Sequence, residues 1–150
     1  PPSVSSAASD VYKRQHLGSN FIIGGQIQGQ DPDLMMVYPV GNYIRASEIK
    51  PFFQLGETKY GKPILDRLIR NDTSLGDAAR CALVSFDSTM KSDLTVGPPI
   101  DLIVYKKDTI QISQEEHLQF KTPFFSDLSS KWSEGLRNLF KELPKFDWEK

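Results

Sequence analysis

Thr73 to Tyr105 reads TSLGDAARCALVSFDSTMKSDLTVGPPIDLIVY, a helix, a polar loop and a strand in succession. Ser74-Leu75-Gly76-Asp77 has the form of a capping box in which Asp replaces the usual Glu. Leu75, Ala78, Ala79, Ala82, Leu83 and Phe86 then recur at helical spacing and make one apolar face. The small residues Ala78, Ala79 and Ala82 leave room for a neighbouring helix or sheet. Beyond SDLTVGPP, the run IDLIVY alternates Ile100, Leu102 and Val104 with Asp101, Ile103 and Tyr105, so it is apolar on both faces for most of its length. Such a pattern predicts a central strand covered on both sides.

The pattern extends outward in both directions. Upstream, KPILDRLIR carries Ile64, Leu65, Leu68 and Ile69 at helical spacing, with Pro63 in the first turn. Before it, FIIGGQ (21–26), LMMVYPV (34–40) and YIRA (43–46) are short apolar runs separated by the turn-forming QGQDPD and PVGN, which predicts three antiparallel strands. Downstream, residues 108–112 are expected to pair back onto the 100–105 strand. The stretch SDLSSKWSEGLRNLFKEL puts Leu128, Trp132, Leu136, Leu139 and Phe140 on one stripe, an amphipathic helix ending near Pro144, with Trp132 and Phe140 as packing anchors. The order β-β-β-α-α-β-β-α argues for an α+β layered domain and against a doubly wound parallel sheet.

Composition bounds the function. Lys and Arg number 18 against 19 acidic residues, a formal charge of −1, so no basic excess points to nucleic acid or to a membrane surface. No apolar run approaches the ~20 residues of a membrane-spanning helix. The single cysteine, Cys81, has no internal disulfide partner and sits within the 74–91 helix as a small core-edge residue. A reducing cytoplasm is the expected location. The motifs CxxC, HExxH, GxSxG, GxGxxG and the Walker loop are absent, and no cofactor or metal is expected. His16 and His117 are read as solvated surface residues.

The opening residues need separate treatment. Ser5 to Gln15, SSAASDVYKRQ, matches the translation of a transposon-type sequencing adapter, and it lacks the apolar core of a secretory signal. Residues 1–15 are therefore expected to be adapter-derived and disordered. Residues 16–150 are expected to form the C-terminal part of one domain, with 116–150 as a tail carrying the amphipathic helix.

Two loops carry candidate chemistry. Gly56-Glu57-Thr58-Lys59-Tyr60-Gly61 opens a helix, where free backbone N–H groups and a hydroxyl can hold a polar group. Ser92-Asp93-Leu94-Thr95-Val96-Gly97 closes the next helix with a carboxylate and two hydroxyls. Ordinary turn and cap chemistry is the favoured explanation of both loops from the residues alone.

The strings FIIGGQIQGQDPDLMMVYPVGNYIRA, FFQLGETKYGKPILDR and TSLGDAARCALVSFDSTMKSDLTVGPPIDLIVY resemble the bacterial proteasome-type proteases called Anbu, relatives of proteasome β-subunits and of the HslV-type peptidase. The resemblance is dense from Asn20 to Tyr105 and continues to LPKFDW near the C-terminus. It implies a four-layer α-β-β-α sandwich of the N-terminal-nucleophile hydrolase class, here truncated. Helices 62–70 and 74–91 would form an outer layer on the sheet containing 100–106. The implied chemistry is amide hydrolysis by an N-terminal threonine whose own α-amino group acts as base, aided by a lysine and an aspartate. All three are expected upstream, so this chain is expected to hold no catalytic residue and to be inactive by itself.

What it would supply is support. Asp93 and Gly97 match the family's D-x-x-S-G pattern, but Val96 stands at the serine and only Thr95 offers a neighbouring hydroxyl. The family's Gly-Ser loop appears as Gly56-Glu57, with Thr58 next. Asp93, Thr95, Glu57 and Thr58 are thus the candidate supporting residues. The resemblance also implies a homo-oligomer, ring or helical stack, acting on a peptide or unfolded protein, and leaves any unfoldase partner unread. Two alternatives stand beside it: a non-proteolytic amidohydrolase of the same class, and a scaffold subunit for assembly or peptide binding.

Overall fold

The three predicted strands form an antiparallel meander in the computed structural model, which describes residues 18–149. The reading of residues 1–15 as a disordered adapter product lies outside these residues, as does His16. Strands β1 (Phe21–Gly25) and β3 (Tyr43–Arg45) flank β2 (Asp33–Val37), with Phe21 opposite Val37 and Val37 opposite Tyr43. β2 stops at Val37, short of the expected Val40, because Tyr38 turns the chain: its N–H donates to Asn42 O and its carbonyl accepts from Gly41 N, both at 2.9 Å.

Helices α1 (Lys62–Leu68) and α2 (Leu75–Met90) follow, close to their predicted bounds. Ser74 caps α2 as predicted, accepting from the Asp77 N–H at 3.1 Å, while the Asp77 carboxylate accepts from the Ser74 hydroxyl at 2.7 Å, a side-chain variant of the capping box. The buried face of α2 differs from the predicted one. Leu75 and Phe86 are exposed, whereas Cys81, Leu83, Val84, Ser85, Asp87 and Thr89 are buried. The helix is contacted from more than one side, and two of those contacts are polar, which a hydrophobic stripe cannot announce. One is with α1. The other is with α3 (Pro123–Glu142), where the Asp87 carboxylate accepts from Ser129 Oγ at 2.6 Å and from Lys91 Nζ at 2.9 Å. Cys81 lies where it was expected, buried in the core, and its thiol pKa is pushed up by that burial.

Strand β4 (Ile100–Tyr105) pairs antiparallel with β5 (Ile112–Leu118) as a separate two-stranded sheet. Residues 108–111 form the turn and not the returning strand: Asp108 and Ile110 adopt left-handed φ values of 67° and 52°. The strand lies further on, through the charged QEEHL that sequence placed on a solvated surface and partly in the tail, so β5 runs three residues past position 115, to Leu118. Its polarity follows from its position. One face packs Leu118 against the core, and the other turns His117 to solvent, where Nδ1 pairs with Asp101 on β4 at 2.6 Å. β4 was expected to be covered on both sides, yet Ile103 is 55% exposed.

The core is where the second sheet meets two helices: Leu83 of α2, Ile100 of β4, Leu118 of β5 and Phe125 of α3, with Met90, Leu102 and Leu128 packed around them. Each such side chain contributes about 1.5–3 kcal/mol on burial. The stripe on α3 is uneven. Leu128 and Trp132 in its first half pack, but Leu136, Leu139 and Phe140 are exposed, Phe140 to 74%. Phe140 is therefore not an anchor within these residues.

Candidate functional site

Gly61 decides how the two candidate loops meet. It is buried at the N-cap of α1, and a Cβ there would come within 2.1 Å of Ser85 Oγ and 2.9 Å of both the Ser85 carbonyl and Thr89 Oγ1. Only a residue without a side chain lets α1 start so close to α2. Thr89 turns its hydroxyl inward onto the Ser85 carbonyl at 2.9 Å, and its own carbonyl accepts from the Asp93 N–H at 2.8 Å. The helix start and the loop after α2 thus share one surface. Buried Ser85 and Thr89, four residues apart on an otherwise apolar helix, are the sequence signal that was missed.

Within the 92–97 loop, Asp93 and Thr95 are brought together. Asp93 Oδ1 accepts from the Thr95 backbone N–H at 2.8 Å and from its hydroxyl at 2.7 Å. These hydrogen bonds hold the Asp93 carboxyl below the usual carboxylate range, with a further lowering from the charge of Lys59. Asp93 is an ionised acceptor at neutral pH. Val96, at the position of the expected serine, is half-buried and offers no hydrogen bond from its side chain.

Within the 56–61 loop, Gly56 takes φ 83°, a left-handed conformation that glycine adopts without strain. The turn folds Glu57 back so that its carboxylate accepts from the Lys59 N–H at 2.7 Å and pairs with Lys59 Nζ at 3.8 Å, while its carbonyl accepts from Gln54 Nε2 at 3.2 Å. Lys59, which sequence analysis passed over, therefore stands between two carboxylates: it pairs with Glu57 and its charge acts on Asp93. Thr58 faces elsewhere. It lines a cavity of about 370 Å³ between the first sheet and α1, with Met36, Ile44, Phe52, Gln54, Lys62 and Asp66 among the other walls. Asp93, Thr95 and Glu57 do not line it. The four predicted residues thus divide into a charged surface cluster and one hydroxyl in a cavity of mixed apolar and charged walls.

Chemically, the cluster offers two carboxylates and a hydroxyl as acceptors, suited to holding a cation or an amine. No nucleophile with an adjacent base stands there. Among the described residues, no group of three His, Cys, Asp or Glu side chains is placed to hold a metal, and no helix is long and apolar enough to cross a membrane.

The proteasome subunit family model matches residues 4–105. No curated protein matches the chain. Among solved structures, Anbu from Hyphomicrobium sp. strain MC1 is 51% identical over 85% of this chain, with a TM-score of 0.82. Anbu (ancestral beta-subunit) from Yersinia bercovieri is 43% identical over 85% of it, also with a TM-score of 0.82. A helical assembly of the Anbu complex from Pseudomonas aeruginosa is 45% identical over 91% of it, with a TM-score of 0.85. The chain spans 55% of the first two proteins and 57% of the third.

Proposed function

Because this chain belongs to the proteasome subunit family and is of its Anbu type, we propose that the whole protein is a threonine-type peptidase subunit that works in a self-compartmentalised homo-oligomer. The nucleophilic threonine, with its lysine and aspartate, is assigned to sequence preceding these residues. Asp93, Thr95, Glu57 and Thr58 then act in support. The observation that carries their part is the ionised Asp93 carboxylate, fixed by Thr95 and set on the same surface as the start of α1. Such an acceptor can orient an α-ammonium group and stabilise its charge, which tunes the amine that must serve as base. The described subunit of the Pseudomonas aeruginosa relative forms a helical assembly, which supports an assembly of the same kind here. The proposed substrate is a peptide or unfolded protein and the proposed location the cytoplasm.

Val96 in place of the serine removes one hydrogen-bonding group from this arrangement, which favours the scaffold reading as the second choice. The test is turnover of short fluorogenic peptides by the full-length assembled protein, with the residue at the mature N-terminus identified by mass spectrometry. A threonine there together with turnover is expected. A cysteine or serine there with turnover of small amides only would move the protein to the amidohydrolases, and no turnover at all to the scaffold reading.

A further inference from the structure

The two sheets share no strand pairing among the described residues, yet side chains tie their ends, Gln26 with the most bonds. Gln26, half-buried immediately after β1, sends its amide across to the β4–β5 turn. Its Oε1 accepts from the Tyr105 hydroxyl at 2.7 Å and from the Asp108 N–H at 2.7 Å. Its Nε2 donates to Asp108 Oδ1 at 2.6 Å and to the Gln30 carbonyl at 2.7 Å. Two donors and two acceptor positions are all that a primary amide has, and all are used. The partners also dictate its orientation. A flipped amide would face N–H groups toward the Asp108 N–H and its oxygen toward a carbonyl and a carboxylate. Beside it, Lys107 pairs with Asp31 at 2.5 Å, joining the same two turns.

The geometry points to a latch: we infer that Gln26 holds the β1–β3 sheet closed on the β4–β5 sheet, against a hinge in the connector 46–55. The connector has no helix or strand of its own, whereas α1, on its far side, is fixed to α2 through Gly61. The latch engages the end of β4 at Tyr105, and the Asp93 loop adjoins the other end at Ile100, so a strand's length of about 20 Å separates them. Closure at one end therefore limits the angle through which the sheets can part at the other. The latch stands whether or not the protein hydrolyses peptides.

The test reads the Asp108 amide directly by hydrogen exchange in the full-length protein. Gln26→Ala removes its acceptor, so its exchange should accelerate about tenfold or more, the loss of one well-made hydrogen bond, while Leu83 in the core of α2 stays protected. Gln26→Glu keeps the acceptor oxygen for the Tyr105 hydroxyl and the Asp108 N–H but loses both donated bonds and sets a carboxylate against Asp108 and a carbonyl, so at neutral pH it should accelerate Asp108 exchange less than Gln26→Ala. Tyr105→Phe removes one bond of four and should act less. Spin labels at Gln28→Cys and Lys106→Cys should report a broader inter-sheet distance distribution in the Gln26 variants than in the parent. Unchanged Asp108 exchange in Gln26→Ala overturns the latch. So does an equal acceleration at Leu83, which would make Gln26 a general stability residue, or an unchanged distance distribution.

Discussion

At the scale of single residues, the two candidate loops rest on Gly61 and Asp93. Gly61→Ala places a Cβ against the Ser85 backbone carbonyl as well as its hydroxyl, and although the hydroxyl can rotate away, the carbonyl cannot. The start of α1 must then shift off α2, at a cost of about 1–3 kcal/mol for overpacking. A urea midpoint indistinguishable from the parent would show that the close approach is not needed. Asp93 is different, because it lies at the surface and its partners are in its own loop. If it orients the amine of the nucleophile, Asp93→Ala in the full-length protein lowers kcat about 10- to 100-fold, the range for losing an orienting contact, and assembly stays intact. If it is a turn residue alone, the variant loses some stability and keeps full turnover per folded subunit. Measuring kcat on assembled particles separates the two.

Among the elements, α2 was the most legible and its surroundings the least. The capping box was readable because it is local: Ser74 and Asp77 are three residues apart and meet in any helix that starts there. Ser74→Ala should cost about 1 kcal/mol at neutral pH. The pH dependence carries a definite sign. The Asp77 carboxyl lies below its ordinary value, first through the Ser74 hydroxyl and then through Arg80, so the folded state holds its proton less readily than the unfolded chain does. That contribution is fully present above about pH 5 and fades as the pH falls through and below about 4. The stability gap between parent and Ser74→Ala should therefore narrow at about pH 3. A gap that stays constant would show that Ser74 acts through the Asp77 N–H alone. The burial of Ser85, Asp87 and Thr89 was not legible, because it depends on Gly61 and Ser129 arriving from elsewhere in the chain. Strand β5 was missed for a related reason: QEEHL has no alternation of apolar residues, and its pairing partner, β4, supplies what its own composition lacks.

For the whole molecule, the exposed apolar surface decides behaviour in solution. Phe21, Ile23 and Tyr43 on the first sheet, Ile103 on the second, and Phe140 and Trp148 at the C-terminal end are each at least half exposed. So many large apolar side chains left open to solvent favour association. The 150 residues in isolation should bind a hydrophobic dye such as ANS and elute as species larger than a monomer. A monodisperse monomer with no dye binding would show that these side chains cover one another in solution. The same preparation should hydrolyse no fluorogenic peptide, and turnover there would place the nucleophile within these residues and sink its assignment upstream.

What the sequence by itself determined was everything that depends on near neighbours: the three-strand meander from its turn residues, the two central helices from period and cap, the 100–105 strand from its apolar run, and the family from its strings of identity. These signals are carried by residues a few positions apart, whose geometry is set by the backbone itself. Tertiary structure alone decided the rest. It buried polar residues of α2, turned the QEEHL segment into a strand, split Thr58 from Asp93, and tied Gln26 to Tyr105 and Asp108 across 79 and 82 positions. A hydrogen bond between distant segments leaves no period in either of them, so its residues look like ordinary polar surface until the fold brings them together.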